Sequence, residues 1–334
     1  MAEQKVRWGV LSTSNIGRRA VLPAIQRSSN GELVAVASRD ADKARAFAGE
    51  LGIPRAYASY EQLLADPAIE AVYIPLPNSM HREWAIKAAQ AGKHILCEKP
   101  LALSAAECAE MDAAARQNGV LLMEAFMYRF HPQTERVIEL LRQGAIGEPR
   151  LIHAAFTFRL TNPANIRLQA ELGGGSLMDV GCYCANVSRT LFGAEPIEVQ
   201  AFASWSAGGV DEQLIGNLRF AGGGYVQFDS ALTLARRETY EVVGTEGVIE
   251  APVAFLPGHS VTIIRIRDAA GERNETIAGI DEYQLMAEHF AACVRGQASL
   301  RYLPAEAAAN MRAIEALYRS ARNGGRPEPV ASPA

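Results

Sequence analysis

His94-Ile95-Leu96-Cys97-Glu98-Lys99-Pro100 is the stretch on which the reading of this chain turns. The first four residues read as a short buried strand, and Pro100 ends it because proline has no N–H for the ladder. Helical patterns flank it: His81 to Ala91, stopped by Gly92, and a helix opened by the capping pair Ser104 and Glu107. Short apolar strands alternating with helices indicate a parallel, doubly wound sheet. In such sheets ligands sit beyond the carboxyl ends of the strands. Lys99 is therefore expected to carry its ammonium to a binding crevice.

The same alternation extends on both sides. Val6 to Leu11, Leu33 to Ala37, Ala71 to Ile74 and Val120 to Met123 read as further strands. The segments from Ile16 to Gln26 and from Ala41 to Leu51 read as helices, and Ser59 with Gln62 marks a shorter one. Beyond about Glu124 the texture changes. Pro132 to Gln143 is helical, Arg150 to Phe158 is strand-like, and Gly173-Gly174-Gly175 precedes a helix from Ser176 to Leu191. From Ile197 to Ile277 strands follow one another, with turn signals at Gly222-Gly223-Gly224 and Gly244-Thr245-Glu246-Gly247. Helices from Asp281 to Arg295 and from Pro304 to Arg322 close the chain, and the tail from Gly324 reads as loose. The expected fold is α/β: a Rossmann-type doubly wound parallel sheet over 1–124, then an α+β domain with an open, mainly antiparallel sheet over 125–334.

Composition bounds the function. With 334 residues, 49% hydrophobic and 21% charged, the chain is long enough for two packed domains. A net charge of −4 gives no basic face for nucleic acid. No apolar run reaches a membrane-spanning length, and the polar start at Met1-Ala2-Glu3-Gln4-Lys5 resembles no export signal. Five cysteines in apolar segments fit reduced, buried thiols and a cytoplasmic location. Cys182-Tyr183-Cys184 lacks metal-ligand spacing, and His153, His259 and His289 show no pairing, so no metal is expected.

The first turn, Gly9-Val10-Leu11-Ser12-Thr13-Ser14-Asn15-Ile16-Gly17, meets the dinucleotide fingerprint only at Gly17; Ser12 and Ser14 occupy the first two glycine positions. Serine is small enough for a pyrophosphate to approach, though an ordinary strand-to-helix turn has the same look. The second strand ends in Ser38-Arg39-Asp40. A carboxylate there would bind a ribose hydroxyl; a serine followed by an arginine suits a 2′-phosphate, favouring NADP over NAD. Asp40 then falls to capping the next helix. Pro75-Leu76-Pro77-Asn78-Ser79-Met80-His81 reads as a stiff loop in which Asn78 or Ser79 caps the following helix.

In this order Ser12 to Gly17, Ser38-Arg39, Leu76-Pro77-Asn78-Ser79, Glu98-Lys99-Pro100, Tyr128-Arg129-Phe130-His131-Pro132, Gly173 to Tyr183 and Gly244 to Gly247 resemble the Gfo/Idh/MocA oxidoreductases from about Val6 to about Leu303. Tyr183 places the pattern nearest the branch with glucose–fructose oxidoreductase, NADP-dependent D-xylose dehydrogenase and dimeric dihydrodiol dehydrogenase; the inositol branch has histidine there. The resemblance implies hydride transfer on a sugar, at an aldose C1, or on a related polyol. It also implies a sheet domain used in a homodimer or homotetramer. The cofactor contacts expected are Ser12, Thr13, Ser14, Asn15, Ile16, Gly17, Ser38, Arg39, Leu76, Pro77, Asn78, His81, Glu98 and Lys99.

Oxidising an alcohol removes a hydride from carbon and a proton from oxygen. Tyr183 is the candidate proton acceptor. Tyrosine ionises near pH 10, too high for an efficient base, so a neighbouring ammonium is required, and Lys99 is the candidate source. Asp179, four residues before Tyr183 on a helix, would share its face and orient Lys99 or sugar hydroxyls. Arg129 and Arg167 are candidates to bond hydroxyls or a phosphate at the substrate mouth, with an ordinary solvated or ion-paired arginine as the alternative. The rivals are a trans-dihydrodiol dehydrogenase with the same Lys99 and Tyr183, and a non-catalytic NADP sensor, which would have no use for a proton acceptor.

Overall fold

Glycine and proline punctuation divides the first third of the chain into short strands, and all of them pair in parallel. A computed structural model describes residues 4–331. Two compact units emerge, Met1–Met127 with Asp281–Ala308, and Tyr128–Ile280 with Ala309–Ala334. The linear division fails at the far end, because Asp281–Ala308 returns to the first unit. The physical reason is direct: Trp8 is fully buried against Phe290, with ring centroids 5.5 Å apart, and the Asp281 carboxylate pairs with Arg27.

The first unit is built on strands β1 (Val6–Leu11), β2 (Gly31–Ala37), β3 (Arg55–Tyr57), β4 (Ala71–Ile74), β5 (His94–Cys97) and β6 (Leu122–Glu124). Their order is β3-β2-β1-β4-β5-β6, all parallel. The chain builds outward from β1 to one side, then returns to β4 and builds to the other. That reversal between β1 and β4 opens the crevice in which doubly wound sheets bind ligands. Helices α1 (Leu22–Arg27), α2 (Ala41–Leu51), α3 (Tyr60–Leu64), α4 (His81–Gln90) and α5 (Ala105–Gln117) follow the strands in turn. A π-helical segment, Gly17–Val21, leads into α1. Ser59 caps α3 and Ser104 caps α5 through Oγ; Glu107 reciprocates by accepting from the N–H of Leu103, outside its helix. The capping expected of Asn78 or Ser79 does not occur. Asn78–Met80 forms a 3₁₀ turn, and α4 starts after Met80 with no side-chain cap.

The second unit holds α6 (Pro132–Arg142), α7 (Cys182–Phe192) and a nine-stranded sheet. Its strands are β7 (Pro149–Arg159), β8 (Pro196–Trp205), β9 (Asp211–Phe220), β10 (Tyr225–Ala231), β11 (Thr233–Gly244), β12 (Gly247–Ala251), β13 (Thr262–Asp268), β14 (Gly271–Ile277) and β15 (Glu328–Pro329). The order is β14-β13-β12-β11-β7-β10-β9-β8-β15, antiparallel except for the parallel pair β7–β10. Alternation along the strands buries Ile152, Ala154 and Phe156 of β7 with Val226 and Phe228 of β10. On the opposite face Phe202 and Ile215 lie side by side and exposed. The tail is tied down rather than loose: β15 pairs with β8, and Ser320 Oγ donates to the Arg326 carbonyl at 2.6 Å. Residues 332–334 of that tail lie outside the described residues. Two more helices complete the chain, α8 (Glu282–Val294) in the first unit and α9 (Pro304–Arg322), along which the unit boundary falls.

Candidate active site

In the first unit the candidate site residues sit where the strands end. β1 runs out into Ser12–Gly17. Ser14 Oγ accepts the Gly17 N–H at 3.2 Å, and a Cβ on Gly17 would stand 3.1 Å from that oxygen. Serine at a glycine position thus folds into the turn, and a side chain at 17 would crowd its oxygen. Ser12, Thr13 and Ser14 are half-buried, while Asn15 and Ile16 are exposed at the start of the helix, a geometry suited to phosphate oxygens.

At the end of β2, Asp40 Oδ1 accepts the N–H groups of Asp42 and Lys43, so that carboxylate is engaged as the cap of α2. Ser38 is buried and its Oγ accepts the Asp40 N–H at 3.2 Å. Arg39 is exposed. The group that would bind a ribose hydroxyl is committed elsewhere, and the group that would bind a 2′-phosphate faces outward. These residues fit a dinucleotide at the β1–β4 crevice.

β4 delivers the fully buried Tyr73, whose hydroxyl donates to Glu98 Oε1 at 2.5 Å. Burial, then the carboxylate beside it, pushes the Tyr73 hydroxyl well above its ordinary range, so it stays a donor. Glu98 Oε2 faces the Lys99 N–H at 3.4 Å, and Glu124 Oε1 accepts the Leu101 N–H at 2.8 Å. Lys99 itself is half-buried. Two carboxylates therefore fix the backbone on either side of the Lys99–Pro100 bond, which is cis. His81 is wholly buried, with Nδ1 3.0 Å from the Pro100 carbonyl and Nε2 2.9 Å from the Leu76 carbonyl. Burial lowers its proton affinity. Both ring nitrogens face backbone carbonyls, and a neutral ring donates to one of them at a time, so His81 sits between the loop after β4 and the loop after β5.

In the second unit the π-helical segment Leu177–Gly181 carries Asp179 and runs directly into α7, whose second residue is Tyr183. Asp179 Oδ2 accepts from Arg167 Nε at 2.6 Å, and the Arg167 carbonyl accepts the Gly175 N–H at 2.9 Å. Two of the expected site residues thus form an ion pair, which the sequence had left as separate candidates. Tyr183 is only 5% exposed and packs among Tyr128, Phe156 and Phe255, with ring centroids 5.3–5.8 Å away. Arg129 is buried on the 3₁₀ turn Met127–Phe130. His131 caps α6, its Nδ1 accepting the Gln133 N–H, and burial lowers its pKa to about 4. None of the five cysteines forms a disulfide, and all are buried. Among the described residues no cluster of His, Cys, Asp or Glu is arranged to hold a metal ion, and no helix is long and apolar enough to cross a membrane.

Sequence reasoning missed the Tyr73–Glu98 bond, the Arg167–Asp179 pair and the aromatic cage of Tyr183. Only the last had a signal, the aromatic residues at alternate positions 156 and 158 of a strand.

Comparison with known proteins adds a second line of observation. Residues 6–126 match the GFO/IDH/MocA oxidoreductase family with an NAD-binding Rossmann fold, and residues 134–250 match the GFO/IDH/MocA C-terminal domain. The chain is 41% identical to D-xylose 1-dehydrogenase (NADP(+)) 2 of Haloferax volcanii, covering 95% of this chain and 98% of that one. It is 40% identical to trans-1,2-dihydrobenzene-1,2-diol dehydrogenase of Xenopus laevis, over 74% of this chain and 75% of the other. Among solved structures, the aldose-aldose oxidoreductase of Caulobacter crescentus, complexed with glycerol, superposes with a TM-score of 0.90 at 30% identity, covering 98% of this chain and 100% of that one.

Proposed function

This chain belongs to the GFO/IDH/MocA oxidoreductase family, and we propose that it is an NADP-dependent dehydrogenase or reductase acting on a CH–OH group of a sugar, at an aldose C1. The observation that carries the reading is Lys99 at the carboxyl end of β5, held by Glu98 and Glu124 in a six-stranded parallel sheet. The high identity to an NADP-dependent D-xylose 1-dehydrogenase supports the substrate class.

When bound, NADP supplies the hydride acceptor. The protein's own residues do the rest. The Ser12–Gly17 turn receives the phosphates, with Asn15 and Ile16 at its exposed end. Ser38 and Arg39 hold the 2′-phosphate, which a guanidinium grips with paired, charge-assisted bonds. Leu76, Pro77 and Asn78 line the nucleotide, with His81 setting their loop. Glu98 fixes the backbone of Lys99. In oxidation Lys99 donates a hydrogen bond to the reacting hydroxyl oxygen, and Tyr183 takes that hydroxyl's proton. In reduction Tyr183 returns it. Asp179, paired with Arg167, presents that guanidinium to neighbouring substrate hydroxyls, and buried Arg129 supports the same unit. Acid–base work of this kind contributes about 10²–10⁴ in rate.

A second reading is favoured by one observation. Phe156 and Phe255 enclose Tyr183, and an apolar ring would suit such walls; the substrate would then be a trans-dihydrodiol, as for the Xenopus laevis relative. We place the enzyme in the cytoplasm as a homodimer or homotetramer formed through the exposed sheet face bearing Phe202 and Ile215. The test is a spectrophotometric screen of aldoses, polyols and dihydrodiols with NADP and NAD. NADPH formation with an aldose is the expected result. Turnover of dihydrodiols alone selects the second reading, and NADP binding without turnover of anything selects a sensor.

A further inference from the structure

We propose that Asp211 is a positioning residue: from the first position of β9 it anchors the helical run that carries Asp179 and Tyr183. The proposal rests on the catalytic reading of those two residues.

Asp211 is completely buried. A buried carboxylate is costly unless donors surround it, and here three do. Ser176 Oγ and the Leu177 N–H both donate to Oδ2 at 2.7 Å, and the Tyr318 hydroxyl donates to Oδ1 at 2.7 Å. Burial raises its proton affinity, and these same three donors oppose that rise.

The geometry is that of a helix cap supplied from a distance. The first N–H groups of a helix have no partner inside it. Usually the residue at the N-cap accepts one of them through its own side chain. Ser176 occupies that position here and makes no such bond. Its hydroxyl turns to Asp211 and lies 3.0 Å from Ser230 Oγ, and the Leu177 N–H is taken by a carboxylate 34 residues further along the chain. The approach is close enough to dictate sequence. Gly175 has φ +118, and a Cβ there would stand 2.2 Å from Asp211 Oδ1. This gives the triglycine segment a physical reason at its third position.

What the anchor fixes is specific. Asp179 and Tyr183 lie three and seven residues beyond Ser176, about one and two turns into the run. The Gly175 N–H, beside the anchor, holds the Arg167 carbonyl, and the Gly175 carbonyl accepts the Asp179 N–H at 3.0 Å. One carboxylate thus sets the start of the segment on which Arg167, Asp179 and Tyr183 all depend. A side chain displaced by an ångström costs about 10² in rate even when the protein stays folded.

The experiment compares Asp211→Ala and Asp211→Asn in the full chain by hydrogen exchange over residues 177–183, by NADP binding, and by steady-state kinetics with D-xylose and NADP. Asp211→Ala is expected to speed exchange of that segment and lower kcat by about 10²-fold, with NADP affinity within about twofold of the parent. Asp211→Asn keeps an oxygen for the Leu177 N–H and an amide facing the Tyr318 hydroxyl. It should restore protection and bring kcat within about tenfold. Unchanged exchange, or a kcat that falls only in proportion to the folded fraction, overturns the proposal. Should Asp211→Ala not fold, Ser176→Ala and Tyr318→Phe each remove one donor, and graded losses of protection and kcat are expected; no loss in either overturns it. If the parent turns over no substrate, the functional reading fails by itself. The exchange arm then decides the anchor alone, for it if Asp211→Ala loses protection and against it if not.

Discussion

Lys99 and Tyr183 are held in opposite ways. Lys99 is half-buried on a loop, and what fixes it is backbone: a strand that has just ended, with Glu98 and Glu124 bonded to N–H groups on either side. Tyr183 is almost fully buried in the second turn of a helical run, and what fixes it is packing against three aromatic rings plus a cap reached from a distant strand. A parallel sheet positions chemistry by where its strands stop. A helix laid on a nine-stranded, mainly antiparallel sheet needs contacts remote in sequence to fix its register.

The largest effect that would sharpen this contrast is chemical. Tyr183→Phe keeps the packed ring and removes only the hydroxyl we propose as proton acceptor, so turnover should fall by about 10²–10⁴-fold while NADP affinity and melting temperature barely move. Unchanged turnover removes Tyr183 from the mechanism.

Next is the end of β2, where neighbouring residues are assigned opposite duties. Arg39→Ala should weaken NADP by about 10- to 100-fold and leave NAD almost untouched, the loss expected for charge-assisted bonds to a phosphate. Equal losses for the two cofactors, read from their KM ratio, would break the assignment.

The two units also differ in how each uses a buried histidine. His81 has both nitrogens against backbone carbonyls, whereas His131 caps α6 through Nδ1 and its buried Nε2 has no hydrogen-bond partner among the described residues. His131 is held at about 4 in the fold, below the ordinary histidine value of 6.5. The unfolded chain therefore takes up the proton first. The stability is fully present above about pH 6.5 and is lost as pH falls toward 4, amounting to about 2 kcal/mol by pH 5. His131→Asn retains a capping side chain without the titration. Its melting temperature should drop less than the parent's between about pH 7 and pH 5; parallel curves would show that His131 contributes nothing.

The smallest effect separates Asp40 from Arg39. Asp40→Ala removes the cap of α2 and should cost about 1 kcal/mol in chemical unfolding with the NADP/NAD ratio unchanged. A shift in that ratio would return Asp40 to the cofactor.

How much of this was legible in the sequence follows the same division. The strands of the first unit, the capping pairs at Ser59 and Ser104, and Asp40 at the head of α2 could be read locally, because strand, turn and cap chemistry act over a few residues. Lys99 was legible because a parallel strand and a proline bracket it. In the second unit the two hairpins were legible from their glycines. The Arg167–Asp179 pair and Asp211 were not, since no local pattern links residue 211 to residue 177. The return of Asp281–Ala308 to the first unit was hidden for the same reason, and so was the pairing of β15 with β8.

We propose that Lys99 and Tyr183 serve one and the same proton-coupled hydride transfer. The direct test is kcat for NADPH formation by Lys99→Ala, Tyr183→Phe and the double variant. Groups that work as a unit give non-additive losses, so the double variant should be scarcely slower than the worse single one. Losses that simply multiply, or a parent-like rate in either single variant, would contradict the account.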